Sequence, residues 1–445
     1  MSSVVTQSSG RIQRYLAQFE VQSDRRPAGP AWLESRRRAA IARFAALGFP
    51  TTRDEEYRFT NIGPIAETDF RHPASGTHVD SAEFAEHLYG EAVAAELVFV
   101  DGRFVVALSS VDRLPTGVTA GNLTEVLKRT PELCQPALGA LAGEDDSALT
   151  ALNLALFEDG AAVHVGRGVV VDSPINLVFV TTGSAAPTAS FPRVLLIAGE
   201  HSQSRFIETH VGLGGGTHFS CAVTEVVAGA DSVLDHDRLQ IERPDGFHYC
   251  RLQVQAARGA TFRSHAFSLG GAIVRNDLGA VLAGPGVDCT LNGLYLADGT
   301  TVVDNHTTID HAEPHCSSHE VYKGILGGRA RGVFNGKIIV RQDAQKTDAK
   351  QTNKALLLSD TAQINTKPQL EIFADDVKCT HGATIGQLDA DAMFYLQARG
   401  ISRADARALL IRGFVGDIVN RVAFAPLRER LDGWLLAQLP TDVTV

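Results

Sequence analysis

Ala230-Asp231-Ser232-Val233-Leu234-Asp235-His236 is a phrase to which the chain keeps returning: a small residue, polar residues, an apolar pair or alternation, and a polar turn. It comes back as Ala260-Thr261-Phe262-Arg263-Ser264-His265 and as Val287-Asp288-Cys289-Thr290-Leu291-Asn292. Further on it reads Ala330-Arg331-Gly332-Val333-Phe334-Asn335, Ala362-Gln363-Ile364-Asn365-Thr366 and Val377-Lys378-Cys379-Thr380-His381. The starting positions lie 30, 27, 43, 32 and 15 residues apart, and most of these steps approximate multiples of fifteen. An antiparallel sandwich marks a turn every eight to twelve residues or so without returning phrases, whereas a solenoid stacks each coil on the last and repeats its inward positions. The expected core is a parallel β-helix.

Outward from these phrases, short alternating runs of Val, Ile, Phe and Thr broken by Gly, Asp and Asn extend from about Ala161 to about residue 386. Before them the pattern is helical, over Arg11 to Phe19 and Trp32 to Leu47, with Pro50 as the expected stop and Arg36, Arg37 and Arg38 as a solvated face. More helix is expected over Leu123 to Leu133 and Ser147 to Phe157, and a hairpin pairs Leu97–Val100 with Phe104–Ala107 through Asp101-Gly102. After Asp389 helical spacing resumes to Arg399 and again from Ser402 to Val422, where Ser402 and Asp405 resemble a capping box. Ala406, Leu409, Leu410, Phe414, Ile418 and Val422 form one apolar stripe, fit to pack on the solenoid end or to dock a partner. Three regions result: a mainly helical one with a short hairpin over 1–158, the β-helix over 159–386, and a C-terminal helical domain over 387–445.

Composition narrows the function. A net charge of -10, from 51 acidic and 41 basic side chains, argues against nucleic acid or an anionic membrane as the main partner. The six cysteines, Cys134, Cys221, Cys250, Cys289, Cys316 and Cys379, form no CxxC pair and are expected to be reduced. With no apolar leader before Arg11 and Arg14, and no apolar run of the roughly 20 residues that span a bilayer, a soluble, cytoplasmic protein is expected.

Several chemistries fail on inspection. Gly212-Leu213-Gly214-Gly215-Gly216-Thr217 lacks the lysine that a phosphate-binding loop needs, and Gly336-Lys337 is followed by Ile338 and preceded by Arg331 where a glycine belongs. No nucleotide is expected on this chain, and the glycines read as a turn between coils. No nucleophile elbow of the G-x-S-x-G type is present, and 2 Trp and 7 Tyr are few stacking platforms for a sugar-binding β-helix. The segment Asp304 to His319 gathers His306, His311, His315, His319 and Cys316; on a helix three of these histidines could meet on zinc, which keeps open a metal-dependent enzyme using the His306–His319 cluster. On strand and turn they would not converge.

One further segment carries donors for a metal. In Asp375-Asp376-Val377-Lys378-Cys379-Thr380-His381-Gly382-Ala383-Thr384 a thiol and an imidazole stand two residues apart, on one face of a strand, beside charged residues that suit a surface. Iron, sulfur or zinc all accept such donors.

The same segment, with Gln351-Thr352-Asn353 and Asn365-Thr366-Lys367-Pro368-Gln369-Leu370-Glu371-Ile372 before it, closely resembles the SufB/SufD family of iron-sulfur cluster assembly scaffolds. Tyr322-Lys323-Gly324, Phe334-Asn335-Gly336-Lys337 and the weaker Glu56-Tyr57-Arg58-Phe59-Thr60 extend the likeness over most of the chain. The Cys-x-His-Gly-Ala-Thr form of Cys379 to Thr384 is similar to the SufD branch; the SufB branch carries Glu-His-Glu-Ala-Thr there. The resemblance implies a right-handed parallel β-helix between helical ends, a heterodimer with SufB along the solenoid, and attachment of the ATPase SufC to the C-terminal helices. It also implies a non-catalytic subunit. A transient iron-sulfur cluster would form at the SufB interface, with His381 as this chain's ligand, Cys379 as a candidate second ligand or sulfur carrier, and cysteine and glutamate from SufB. ATP-driven dimerisation of SufC would pull on the helices and open that interface. In isolation the pairing edge could serve a homodimer.

Overall fold

In the computed structural model, which describes residues 2–26, 29–73 and 79–437, the returning phrases begin the strands of a two-sheet parallel solenoid of about eight turns. Residues 438–445 of the expected C-terminal domain lie outside the described residues.

The first sheet stacks Gln203–Gly212, Val233–Ile241, Thr261–Leu269, Asp288–Ala297, Ser317–Leu326, Asp348–Leu357 and Lys378–Gly386 in parallel, beginning 30, 28, 27, 29, 31 and 30 residues apart. The second sheet stacks His218–Ala228, Phe247–Ala256, Ile273–Leu282, Val302–His311, Arg331–Val340 and Gln363–Ile372. Each coil therefore contributes one strand to each sheet, and half a coil is about fifteen residues. The phrases at 230, 260 and 287 start first-sheet strands, those at 330 and 362 start second-sheet strands, and 377 returns to the first sheet. The steps of 43 and 15 are the two sheet changes.

Turns between coils demand backbone freedom. In the 212–217 glycine run, Gly214 and Gly216 have φ of 67° and 108°, and a Cβ on Gly216 would lie 2.1 Å from the carbonyl oxygen of Ser184 in the preceding coil. Only glycine permits that approach. The run is a turn, as expected. Asp101 and Gly102 both have positive φ and close a two-residue hairpin turn, but the returning strand is only Arg103–Phe104 before a 3-10 turn at Val106–Leu108.

Helical regions cover the outer faces of the two sheets. Tyr15, Phe19, Leu33, Ile41 and Phe44, from helices Ser2–Arg25 and Ala31–Leu47, pack with the wholly buried helix Ala148–Leu156 against Phe219, Cys221, Phe247 and Tyr249 of the second sheet. The second of these helices stops at Gly48, whose φ is 67° and whose N–H bonds to Phe44, two residues before Pro50. Its arginines are not one solvated face. Arg37 is buried with its guanidinium 4.1 Å from the Phe157 ring centre, and Arg36 donates to the Leu138 carbonyl.

On the other side Ile411, Val415, Ile418, Val419 and Val422 join Leu427 and Leu431 of the helix Ala425–Ala437 against Ile207, Leu239, Phe267, Leu294, Ile325 and Leu356. The helices Arg403–Val419 and Ala425–Ala437 thus lie along the outer face of the first sheet and not across the solenoid end. Leu409, expected in the buried stripe, is 50% exposed, while Ile411 and Val415 take the inner face. Ser402 caps the helix Arg403–Val419 by accepting the N–H of Asp405, and its hydroxyl donates to the Asp405 carboxylate at 2.6 Å.

Candidate functional site: the open end of the solenoid

Among the described residues, Lys378–Gly386 is the last strand of the first sheet and pairs only with Asp348–Leu357; Gln363–Ile372 is the last of the second and pairs only with Arg331–Val340. Their outer edges keep unpaired backbone groups, a template for another chain. Pro368 sits in the middle of the second of these strands, where an edge position tolerates its missing N–H.

Register sets the direction of each side chain. Cys379, His381 and Ala383 lie beside Ala349, Gln351 and Asn353, all buried in the lumen, while Lys378 and Thr380 continue the outward row of Asp348 and Lys350. The thiol and the imidazole therefore face inward, separated by two residues or about 6.6 Å of strand. Because no further coil among the described residues covers them, His381 is exposed and Cys379 only partly buried, against Val340, Ala344 and Ala349. Burial pushes the Cys379 thiol up, and the Asp348 carboxylate adds to this against a backbone hydrogen bond at Ala349.

The ladder runs deep. His381, Gln351, Glu320, Leu291, Ser264, His236 and Phe206 are successive in-register neighbours along the first sheet. Glu320 is fully buried, and burial pushes its carboxyl up to about 7, against a hydrogen bond donated by Gln351 at 2.8 Å. Deeper still, Glu208 accepts from His210 and His236, and Glu242 pairs with His218 and His248. These buried polar positions went unnoticed in the sequence, although His236 closes the first of the repeated phrases.

The His306–His319 segment divides between the two sheets. His306 points outward, 3.0 Å from both Glu56 and Asp304. His311 points into the lumen and pairs with Ser318 at 2.8 Å, His315 occupies a turn with φ of 61°, and His319 is on the next strand. The Cys316 thiol donates to the Gly284 carbonyl. Among the described residues, no group of three or more His, Cys, Asp or Glu side chains is placed to hold a metal ion. The enzyme reading loses its geometric basis, because strand and turn separate what a helix would have gathered.

Glu56-Tyr57-Arg58-Phe59-Thr60 is a clasp instead. Arg275 donates to the Glu56 carbonyl at 2.7 Å and to Asp304 at 2.6 Å, its guanidinium lies 4.3 Å from the Tyr57 ring centre, and Thr60 donates to Asp304. Tyr322-Lys323-Gly324 has three distinct tasks. Tyr322 fills the lumen beside Gly293, Lys323 reaches outward to the Phe414 carbonyl and Asp417 at 2.6 Å each, and Gly324 leaves room for the Tyr295 ring.

A rigid coil stack that ends in bare strand edges and offers a thiol and an imidazole there belongs to the β-solenoid scaffold class. The model of the SUF system FeS cluster assembly SufBD core domain matches residues 179–414, and that of the SufBD protein N-terminal region matches residues 11–177. An iron-sulfur cluster assembly SufBD family protein of Synechocystis is 33% identical over 408 residues, 90% of this chain and 89% of that protein. The iron-sulfur cluster assembly protein SufD of Escherichia coli is 32% identical over 436 residues, covering 97% and 98%. Protein ABCI7, chloroplastic, of Arabidopsis thaliana is 30% identical over 392 residues, covering 86% and 81%. The chain belongs to the SufB/SufD family of the SUF iron-sulfur cluster assembly system. No described helix is long and apolar enough to cross a membrane.

Proposed function

We propose that this chain is the SufD-type subunit of a SUF scaffold, that it pairs with a SufB-type chain through the open solenoid end, and that His381 lends one ligand to a cluster assembled between them. The observation that carries this reading is the exposed His381 on an inward row of a terminal strand whose outer edge has no partner strand among the described residues. Iron-sulfur centres take mostly thiolates, with imidazole in some, and Cys379 with His381 supplies two donors at most. The remaining ligands come from the partner, which makes the site a shared one that can release its product when the chains part. The cluster is cargo, and the chain presents it without performing a reaction of its own.

In the same reading the C-terminal helices receive the ATPase SufC. Phe394 and Tyr395, on the helix Ala390–Ala398, are 73% and 56% exposed, and Leu409 adds apolar surface. Lys323 and the contact of Arg421 with Asn292 tie these helices to the first sheet, so a pull on them is delivered to the sheet whose last strand bears His381. The test is His381→Ala in a complex reconstituted with SufB, SufC, iron and sulfide. Loss of cluster absorbance with an intact complex supports the assignment, and wild-type absorbance removes His381 from the site.

A further inference from the structure

Gln351 stands between two groups in one lumenal row, in register with Glu320 on one side and His381 on the other. It is 2% exposed. Its Nε2 donates to Glu320 Oε2 at 2.8 Å, and because a carboxamide carries its donor and acceptor on opposite prongs, Oε1 turns away from Glu320. That oxygen is buried and accepts no hydrogen bond from the described residues. The second sheet makes room for the amide, since a Cβ on Gly336 would lie 2.2 Å from Nε2. A side chain so confined cannot swing its orphaned acceptor to bulk water. Adjacent strands are about 4.8 Å apart, and on the unfilled side the next side chain of the row is the His381 imidazole.

We propose that Gln351 is the positioning residue of His381: its Oε1, oriented by Glu320, accepts one imidazole N–H, fixes a single tautomer and leaves the lone pair of the other ring nitrogen free for iron. Metal-binding histidines generally donate their second N–H in this way, which sets ring orientation and basicity. The inference rests on the reading of His381 as a cluster ligand, but the contact between Gln351 and the ring can be measured without a cluster. Gly336 gains a role from it, as the gap that admits the amide.

The experiment uses the full chain with 15N-labelled histidine rings, the His381 signals being assigned by their loss in His381→Ala. The wild type is expected to show one protonated and one unprotonated ring nitrogen at His381, and Gln351→Leu to average them. Glu320→Gln, which frees the amide to turn over, is expected to fall between the two and serves if Gln351→Leu does not fold. In the complex with SufB and SufC, Gln351→Leu is expected to lower cluster occupancy at limiting iron by roughly tenfold, the lower end of effects for such outer partners. An unchanged His381 tautomer in a folded Gln351→Leu or Glu320→Gln chain overturns the proposal. If His381→Ala leaves cluster formation intact, the ligand reading fails instead, and the tautomer comparison still decides whether Gln351 holds the ring.

Discussion

Glu225→Ala should release the N-terminal helical region from the solenoid before the solenoid itself unfolds. Arg193 and Glu225 lie on adjacent second-sheet strands, both with fully buried side chains, and face the helical layer. Arg193 donates to Glu225 through Nε at 3.0 Å and Nη2 at 2.8 Å, to Asn153 at 2.9 Å and to the Ala142 carbonyl at 2.7 Å. The Glu225 carboxylate also accepts the N–H groups of Gly139, Leu141 and Ala142 at 2.9 to 3.2 Å. One carboxylate thus neutralises a buried guanidinium and ends three orphaned donors. Removing one partner of a buried pair costs about 3–5 kcal/mol, and each unsatisfied buried donor about 1–3 kcal/mol before water enters the new space. Taking about 4 kcal/mol as the net, and a factor of ten for each 1.4 kcal/mol or so, the opening equilibrium of the 137–142 segment should rise roughly a thousandfold. Hydrogen exchange at Gly139, Leu141 and Ala142 reads this directly, with the strands from Val302 onward as an internal reference. Protection at those amides within tenfold of wild type would refute the reasoning.

Other consequences are more local. Gly293→Ala would place a methyl 2.1 Å from the Tyr322 ring in a filled lumen, so a loss of about 2–3 kcal/mol is expected in thermal unfolding, with Tyr322→Leu restoring part of it. At His306, burial lowers the pKa, but the Asp304 carboxylate, aided by a hydrogen bond to Glu56, outweighs it and lifts the ring to about 9. A pKa raised above the unfolded value near 6.5 stabilises fully below that pH and is lost as pH climbs through about 9. The melting temperature should therefore decline across that window, and His306→Gln should flatten the decline. Phe394→Ser with Tyr395→Ser, both on an exposed face, should leave the melting temperature within a degree or two while weakening SufC binding by at least tenfold in a titration, as expected for aromatic anchors.

The solenoid was legible because each coil repeats its inward positions: the phrases at 260 and 287 align residue for residue, and the one at 230 is two residues out of step, which keeps the same face inward. The steps of 43 and 15 looked irregular only because the same phrase begins strands in both sheets. Cys379 and His381 could be placed on one face from the two-residue period alone. The charged neighbours Asp375, Asp376 and Lys378 already pointed to a surface, but that an inward-facing imidazole is itself exposed depends on no coil following Lys378–Gly386 among the described residues. Gln351 was quoted for its family resemblance, yet its place beside His381 exists only across thirty residues of register. Helix faces were less readable: Leu409 fits a 3.6-residue stripe but turns outward, because the sheet beneath engages Ile411 and Val415. The helix Ala425–Ala437 was missed: Gly433 weakens its helical signal, and Pro426 in its first turn, a start cue, was not read as one. Likewise, four histidines in sixteen residues suggested a metal site until the strand and turn geometry separated them.

The central claim is that this chain, and not its partner alone, gives an imidazole to the cluster. The most direct measurement is pulsed electron paramagnetic resonance on a reduced, paramagnetic cluster in a complex where only this chain carries 15N-histidine. The account predicts a 15N hyperfine coupling that disappears in His381→Ala. A cluster that forms fully and shows no 15N coupling from this chain would contradict it.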